Sequence, residues 1–102
     1  MKGSVVKYTG EALKTMETVT DNKRTYAPNK VYHNEKYNLY WYINQNGYLH
    51  ILGIRKVVYV GKILHYAISD NLLTKDNLLK ETNYYGNYKT PEEVMERIKS
   101  EV

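Results

Sequence analysis

Cysteine is absent from this 102-residue chain. That excludes disulfides, thiolate metal sites and thiol nucleophiles. Phenylalanine is absent too, while tyrosine occurs twelve times. Each tyrosine ring carries a hydroxyl that must reach water or a partner, so many rings stay half exposed. The same residue offers large, rigid contact area at low entropic cost, as in surfaces built for binding. Serine occurs only at 4, 69 and 100, in no nucleophile-elbow context. The six glycines are scattered and form no phosphate-cradling loop. No apolar run is long enough to cross a bilayer as a helix, and Met1-Lys2-Gly3-Ser4 leads into no signal-peptide core. The expectation is one soluble, intracellular α+β domain spanning 1–102, without cofactor, metal or membrane association.

What is present points first to the C-terminal end. Thr90-Pro91-Glu92-Glu93 sets a capping hydroxyl, a proline at the first helical position and a glutamate at the third. Val94, Met95, Ile98 and Val102 follow on one stripe, which predicts a docked helix over 91–101. A second helix is predicted over 74–82, with Thr74 as cap and Leu78 and Leu79 facing inward. Residues 83–89, with three tyrosines and Gly86, then read as a loop.

The middle of the chain reads as sheet. Tyr37 to Ile43 is aromatic and β-branched, and Asn46-Gly47 is a strong hairpin signal. With those two residues as a type I′ turn, Trp41 opposes Leu52 and Ile43 opposes His50. The other face then carries Tyr40, Tyr42, Leu49 and Ile51. Both faces are apolar, so this hairpin is either sandwiched or keeps one face for a partner. A further hairpin is predicted from Arg55–Val60 and Ile63–Ile68 around Gly61-Lys62. Residues 10–20 keep helical apolar spacing but contain strand-favouring Thr15, Thr18, Val19 and Thr20, so either state fits. Residues 21–36 read as a long loop turned at Ala27-Pro28-Asn29, with a short strand near Val31-Tyr32.

An internal echo matches Val6-Lys7-Tyr8-Thr9-Gly10 to Val57-Val58-Tyr59-Val60-Gly61 at Val, Tyr and Gly. A true repeat would divide the chain into two similar motifs, 4–52 and 55–102, related by pseudo-symmetry. Chance alignment in a chain rich in Tyr, Val and Lys is the competing reading. A first-copy hairpin would also set Lys7 against Lys14, a pairing that sheets avoid.

No catalytic constellation emerges, so the chain is not expected to be an enzyme. His33, His50 and His65 show no metal-ligand spacing beyond the weak His33-Asn34-Glu35, and two of them fall in predicted strands. Charge is laid out unevenly. Between Tyr37 and Ser69 there is no acidic residue, while Arg55, Lys56 and Lys62 stand among six tyrosines and Trp41. From Asp70 onward seven acids face five bases, a balance of −2 within a chain of net charge +4. A basic, aromatic sheet matches in kind the stacking platforms of nucleic-acid binders, with Arg55, Lys56 and Lys62 as phosphate contacts. Three bases make few such contacts. The stronger expectation is a non-enzymatic protein- or peptide-binding module, open to homo-oligomer formation. It would use Tyr40, Tyr42, Leu49 and Ile51, or an unpaired sheet edge.

The Phe-less, Cys-less, Tyr-rich chain around Tyr37-Asn38-Leu39-Tyr40-Trp41-Tyr42-Ile43 resembles the small orphan proteins of filamentous viruses of hyperthermophilic archaea, those of Acidianus filamentous virus. The resemblance is to the chain as a whole and carries over no functional residue. It implies a viral protein made in the host cytoplasm. The abundance of Lys and Glu agrees with a thermophilic source, whereas ten asparagines run against it. The fold expected from all of this is an antiparallel sheet of hairpins with two C-terminal helices.

Overall fold

A computed structural model describes residues 5–7, 19–20, 24–76 and 78–102, the first three by their backbone alone. The fold is α+β: a six-stranded antiparallel sheet with one C-terminal helix on one face. The strands are β1 (Val5–Lys7), β2 (Tyr32–Asn34), β3 (Leu39–Ile43), β4 (Leu49–Tyr59), β5 (Lys62–Leu73) and β6 (Leu78–Tyr88), followed by α1 (Pro91–Ser100). Strands β2 to β6 form a continuous meander, and β1 adds to its far edge beside β6.

The helix forms where its caps direct it. Thr90 is extended, its hydroxyl accepts the Glu93 N–H at 3.2 Å, and Glu93 reaches back to accept the Lys89 N–H. Glu92 and Glu93 lie in the first turn, Arg97 and Lys99 in the last, as the helix dipole favours. Val94 and Ile98, at i and i+4, are fully buried against Tyr40, Leu52 and Ile68, with Val31 completing the cluster. Val102, expected on the same stripe, is exposed beyond the end of α1.

The second predicted helix is a strand. Thr74 to Asp76 lead into a turn and 78–82 lie in β6, and the tyrosine-rich 83–89 is mostly its continuation rather than a loop. Thr74 does cap, but it caps a turn: its hydroxyl accepts the Leu78 N–H, and its own N–H donates to the Leu78 carbonyl. Beyond it burial alternates, with Leu79 and Glu81 inside and Lys80 and Thr82 outside. The β-propensity of Thr82, Tyr84, Tyr85 and Tyr88 and the open edge of β5 outweigh the helical spacing of the leucines.

Both hairpin registers differ by one residue from those expected. Ile43 opposes Leu49, Trp41 opposes Ile51 and Tyr40 opposes Leu52. The turn is a three-residue loop in which Gly47 (φ 86°) takes the left-handed position and donates to the Asn44 carbonyl. The Asn44 side chain decides this form, because its Oδ1 accepts the N–H groups of both Asn46 and Tyr48. In the second hairpin Tyr59 opposes Lys62, so the turn is Val60-Gly61, both at positive φ, and not Gly61-Lys62. The division into halves at 52/55 falls inside the unbroken strand β4. Residues 8–18, which hold most of the first copy of the echo, lie outside the described residues, as does most of the ambiguous 10–20 segment.

Alternation then sorts the sheet into two faces. The helix face carries Tyr40, Tyr42, His50, Leu52, Ile54, Ile68, Asp70 and Tyr85. The far face carries Trp41, Ile51, Arg55, Ala67, Ser69, Leu73, Leu79 and Glu81. It too is closed, with Trp41, Ala67, Leu73 and Leu79 buried. Trp41 stacks on Tyr32 at 5.1 Å and meets the edge of Tyr26 at 4.8 Å. Truncating Ile98 to alanine opens a cavity under α1 that the sheet cannot collapse into. The expected loss is about 3 kcal/mol in thermal or denaturant unfolding, against a smaller loss for Met95→Ala at the half-buried margin.

Candidate interaction surface

Two polar networks pin the sheet, one on each face. On the helix face Asp70 sits between two donors: the Tyr42 hydroxyl bonds its Oδ2, and His50 Nδ1 donates to its Oδ1 at 2.7 Å. His50 is buried and stacks on Tyr42 with ring centroids 4.6 Å apart. Its Nε2 lies 2.9 Å from Asn44 Nδ2. Because Asn44 Oδ1 is committed to two backbone N–H groups, its amide nitrogen must face the ring, so Nε2 accepts and the ring proton sits on Nδ1. With its outer nitrogen held by Asn44, the His50 ring has no lone pair left for a substrate proton. The arrangement ties β3, β4 and β5 together.

On the far face Arg55 pairs with Glu81 at 2.6 Å, and Ser69 donates to the other oxygen of the same carboxylate at 2.6 Å. Tyr84 lies 4.6 Å from the guanidinium, and Asn71 bonds the Ile51 carbonyl. A buried carboxylate is tolerated there because both of its oxygens are satisfied.

These placements separate the residues expected to act together. Tyr40 and Tyr42 lie on the helix face, and Tyr40 is buried beneath α1. Leu49 and Ile51 lie on the opposite face beside Trp41. The one-residue shift in register moved one strand's side chains across the sheet, so these four residues are not a surface. Arg55, Lys56 and Lys62 are likewise divided. Arg55 is engaged by Glu81, Lys56 is exposed on the helix face, and Lys62 stands at the hairpin tip. Of the histidines, His33 bonds Asn38 and stacks on Tyr40, while His65 opposes Val57. Among the described residues no group of three His, Asp or Glu side chains is placed to hold a metal ion.

The surface the sequence reading missed lies at the end of the longest hairpin. Strand β3 pairs with β4 only as far as Leu52, and β6 pairs with β5 only from Tyr66 onward. Residues 57–65 therefore project past the neighbouring strands as a two-stranded arm. Its side chains remain apolar although little covers them: Val58 is 50% exposed, Tyr59 69%, Val60 80%, Ile63 50% and Leu64 60%. An isolated two-stranded ribbon is marginal in water. Leu64 is the extra residue of a bulge opposite Val57/Val58, which increases the local twist. The signal in the sequence was Val57-Val58-Tyr59-Val60 and Ile63-Leu64, apolar on both faces of the ribbon. At the root of the arm a shallow cleft of about 220 Å³ runs between Ile54 and the Pro91/Met95 side of α1, with Glu92, Glu96 and Lys99 on its rim. Comparison of the chain with family models, curated proteins and solved structures finds no match.

Val60 holds φ at 50°, a left-handed conformation that a β-branched residue adopts only under strain. Retaining an apolar β-branched residue there, where asparagine is easily accommodated, favours contact over stability. Val60→Asn is expected to raise stability by about 1 kcal/mol, several degrees in Tm by calorimetry. The helix-face network yields a second outcome. Burial, the bond to Asp70 and the nearby Asp70 charge all raise the Tyr42 phenol above its ordinary value. A raised folded-state value means that the neutral phenol's contribution is complete below the unfolded value of 10.0 and is lost as pH climbs through the folded one. Alkaline denaturation should therefore set in above that value, with Tyr42 among the last rings to ionise in an absorbance titration. Tyr42→Phe should lose about 1–2 kcal/mol at neutral pH, because Asp70 keeps its charge and loses a donor.

Proposed function

We propose that the protein is a non-enzymatic protein-interaction module whose contact element is the β4–β5 arm. The observation that carries this reading is the arm itself, with Val58, Tyr59, Val60, Ile63 and Leu64 half or more exposed at the end of a ribbon whose outer backbone edges meet no other strand among the described residues beyond Leu52 and before Tyr66. Free edges accept an added strand by main-chain hydrogen bonds, and the flanking side chains supply selectivity. The Asp70–His50–Asn44 chain supports the non-enzymatic part, since both ring nitrogens of His50 are held by structural partners. No helix among the described residues is long and apolar enough to cross a membrane. Nucleic-acid binding through Arg55, Lys56 and Lys62 is less favoured, because Arg55 is committed to Glu81 and the helix beside Lys56 is acidic.

The test places a photoreactive phenylalanine analogue at Tyr59 and offers the protein an extended-peptide library. Adducts at this position are expected, and they should be lost when Val58, Val60 and Leu64 are all changed to threonine. The same group at Lys36, exposed but away from the arm, should give none. Absence of any adduct at Tyr59, with peptide or with another copy of the chain, would refute the reading.

A further inference from the structure

We propose that the arm's partner is a second copy of this chain, and that the two chains form a symmetric dimer. In this dimer each arm lies in the other's cleft beside α1. The proposal rests on the reading of the arm as a contact element and names what it contacts.

Three observations meet here. The first is where the apolar side chains stand. Ile54, Lys56 and Val58 alternate along the helix face of β4, and Val58 pairs with Ile63, so this face of the arm is an apolar strip with a lysine in it. The cleft of Ile54, Pro91 and Met95 opens on that same face, at the root of the strip. A two-fold axis across the face sets each strip on the other chain's cleft, which is the self-complementarity that a closed dimer requires.

The second is charge. Lys56 stands within the strip at the root of the arm and Lys62 at its tip, on the other face beside Tyr59; both are exposed, and no acid lies anywhere between residues 37 and 69. The cleft wall holds Glu92 and Glu96 against one base, Lys99, all three exposed. Within one chain the strip and the cleft follow one another along the sheet. Between two chains they oppose, bringing lysines to glutamates. The same acidic wall counts against a nucleic acid or an anionic membrane, because a phosphate surface approaching this face would meet Glu92, Glu93 and Glu96 along with the two lysines.

The third is exposure. On this face Ile54, Val58 and Ile63 are 43–50% exposed, and Val60 beside them at the tip is 80% exposed, a contiguous apolar strip of the kind that marks an interaction surface.

Sedimentation analysis of the full chain across the micromolar range, at low and high salt, reads the mass directly. The wild type is expected to be a dimer whose affinity falls as salt rises. Two exposed-site variants make the test specific. K56E/K62E gives an acidic arm facing an acidic cleft, and E92K/E96K gives a basic arm facing a basic cleft. Each should be monomeric, its affinity reduced at least tenfold, with unchanged circular dichroism. Mixed in equal amounts they should form a heterodimer, because both contacts are then of opposite sign. A wild type that stays monomeric would overturn the proposal. So would variants that remain dimeric, or a mixture that fails to assemble. Monomeric wild type with peptide adducts at Tyr59 would remove the second copy and keep the interaction module. Saturable binding of the monomer to anionic vesicles would put a lipid surface in place of the second copy.

Discussion

The register of the β4–β5 ladder is the constraint on which the rest of this structure depends. The turn at Val60-Gly61 and the bulge beside Val57 fix which residues of two long strands meet. That choice lays Ser69 and Asp70 next to one another on opposite faces of the sheet. Asp70 then falls between Tyr42 of β3 and His50 of β4, and Ser69 falls where it can donate to the carboxylate that Arg55 holds. A shift of one residue would carry Asp70 to the far face and leave both networks with buried, unmatched charge. The turn and the networks therefore specify the same register from opposite ends of the hairpin.

That agreement accounts for how the molecule tolerates strain and exposure at its tip. Toward the base, β4 and β5 are flanked by β3 and β6, sealed by Val94 and Ile98, and cross-linked by hydrogen bonds on both faces. Toward the tip they lose both neighbours. A two-stranded ribbon gains little stability alone, so the base has to hold the tip in place. Strands of 11 and 12 residues at ~3.3 Å per residue span most of the 45 Å long dimension. The arm is thus an extension of the sheet's central pair of strands and not an appended loop.

Local chemistry made some elements legible in the sequence. Thr90-Pro91 with Glu93 announces a helix whose every signal is contained within four residues, and the structure places α1 there. Ala27-Pro28-Asn29 turns the chain as read, with Asn29 at positive φ. Asn46-Gly47 announced a hairpin correctly but admits two loop lengths, and the choice between them lay with Asn44, two residues upstream. Segment 74–88 was misread for a different reason. Thr74 and the leucines at 72, 73, 78 and 79 satisfy both a capped helix and a capped turn, and what separates the two is Glu81. A lone glutamate at an inward position becomes tolerable only when Arg55 and Ser69 arrive from other strands. That information is non-local and cannot be read along one segment. The expected surface of Tyr40, Tyr42, Leu49 and Ile51 failed with the register, since one misjudged loop residue sends half of such a set to the other face.

The sequence reading and the structure also locate the unsatisfied part of the molecule differently, and the difference is informative. Read along the chain, the aromatic 37–43 hairpin was the doubly apolar element in search of a cover. In the fold that hairpin is covered on both sides, by α1 over Tyr40 and by Tyr26 and Tyr32 around Trp41. The apolar surplus reappears at 54–64, where helix and neighbouring strands end short. A chain with 24 Val, Ile and Leu residues has few to spare for a small core. Ile54, Val58, Val60, Ile63 and Leu64 place five of them at the end where no core is built, one in a strained conformation. The acid-free segment is the same stretch, so apolarity and positive charge are concentrated together, while Glu92, Glu93 and Glu96 lie on the helix that stands over its root. Among the described residues no ion pair joins Lys56 or Lys62 to Glu92 or Glu96 within the chain. The proposed dimer would bring these opposite charges together.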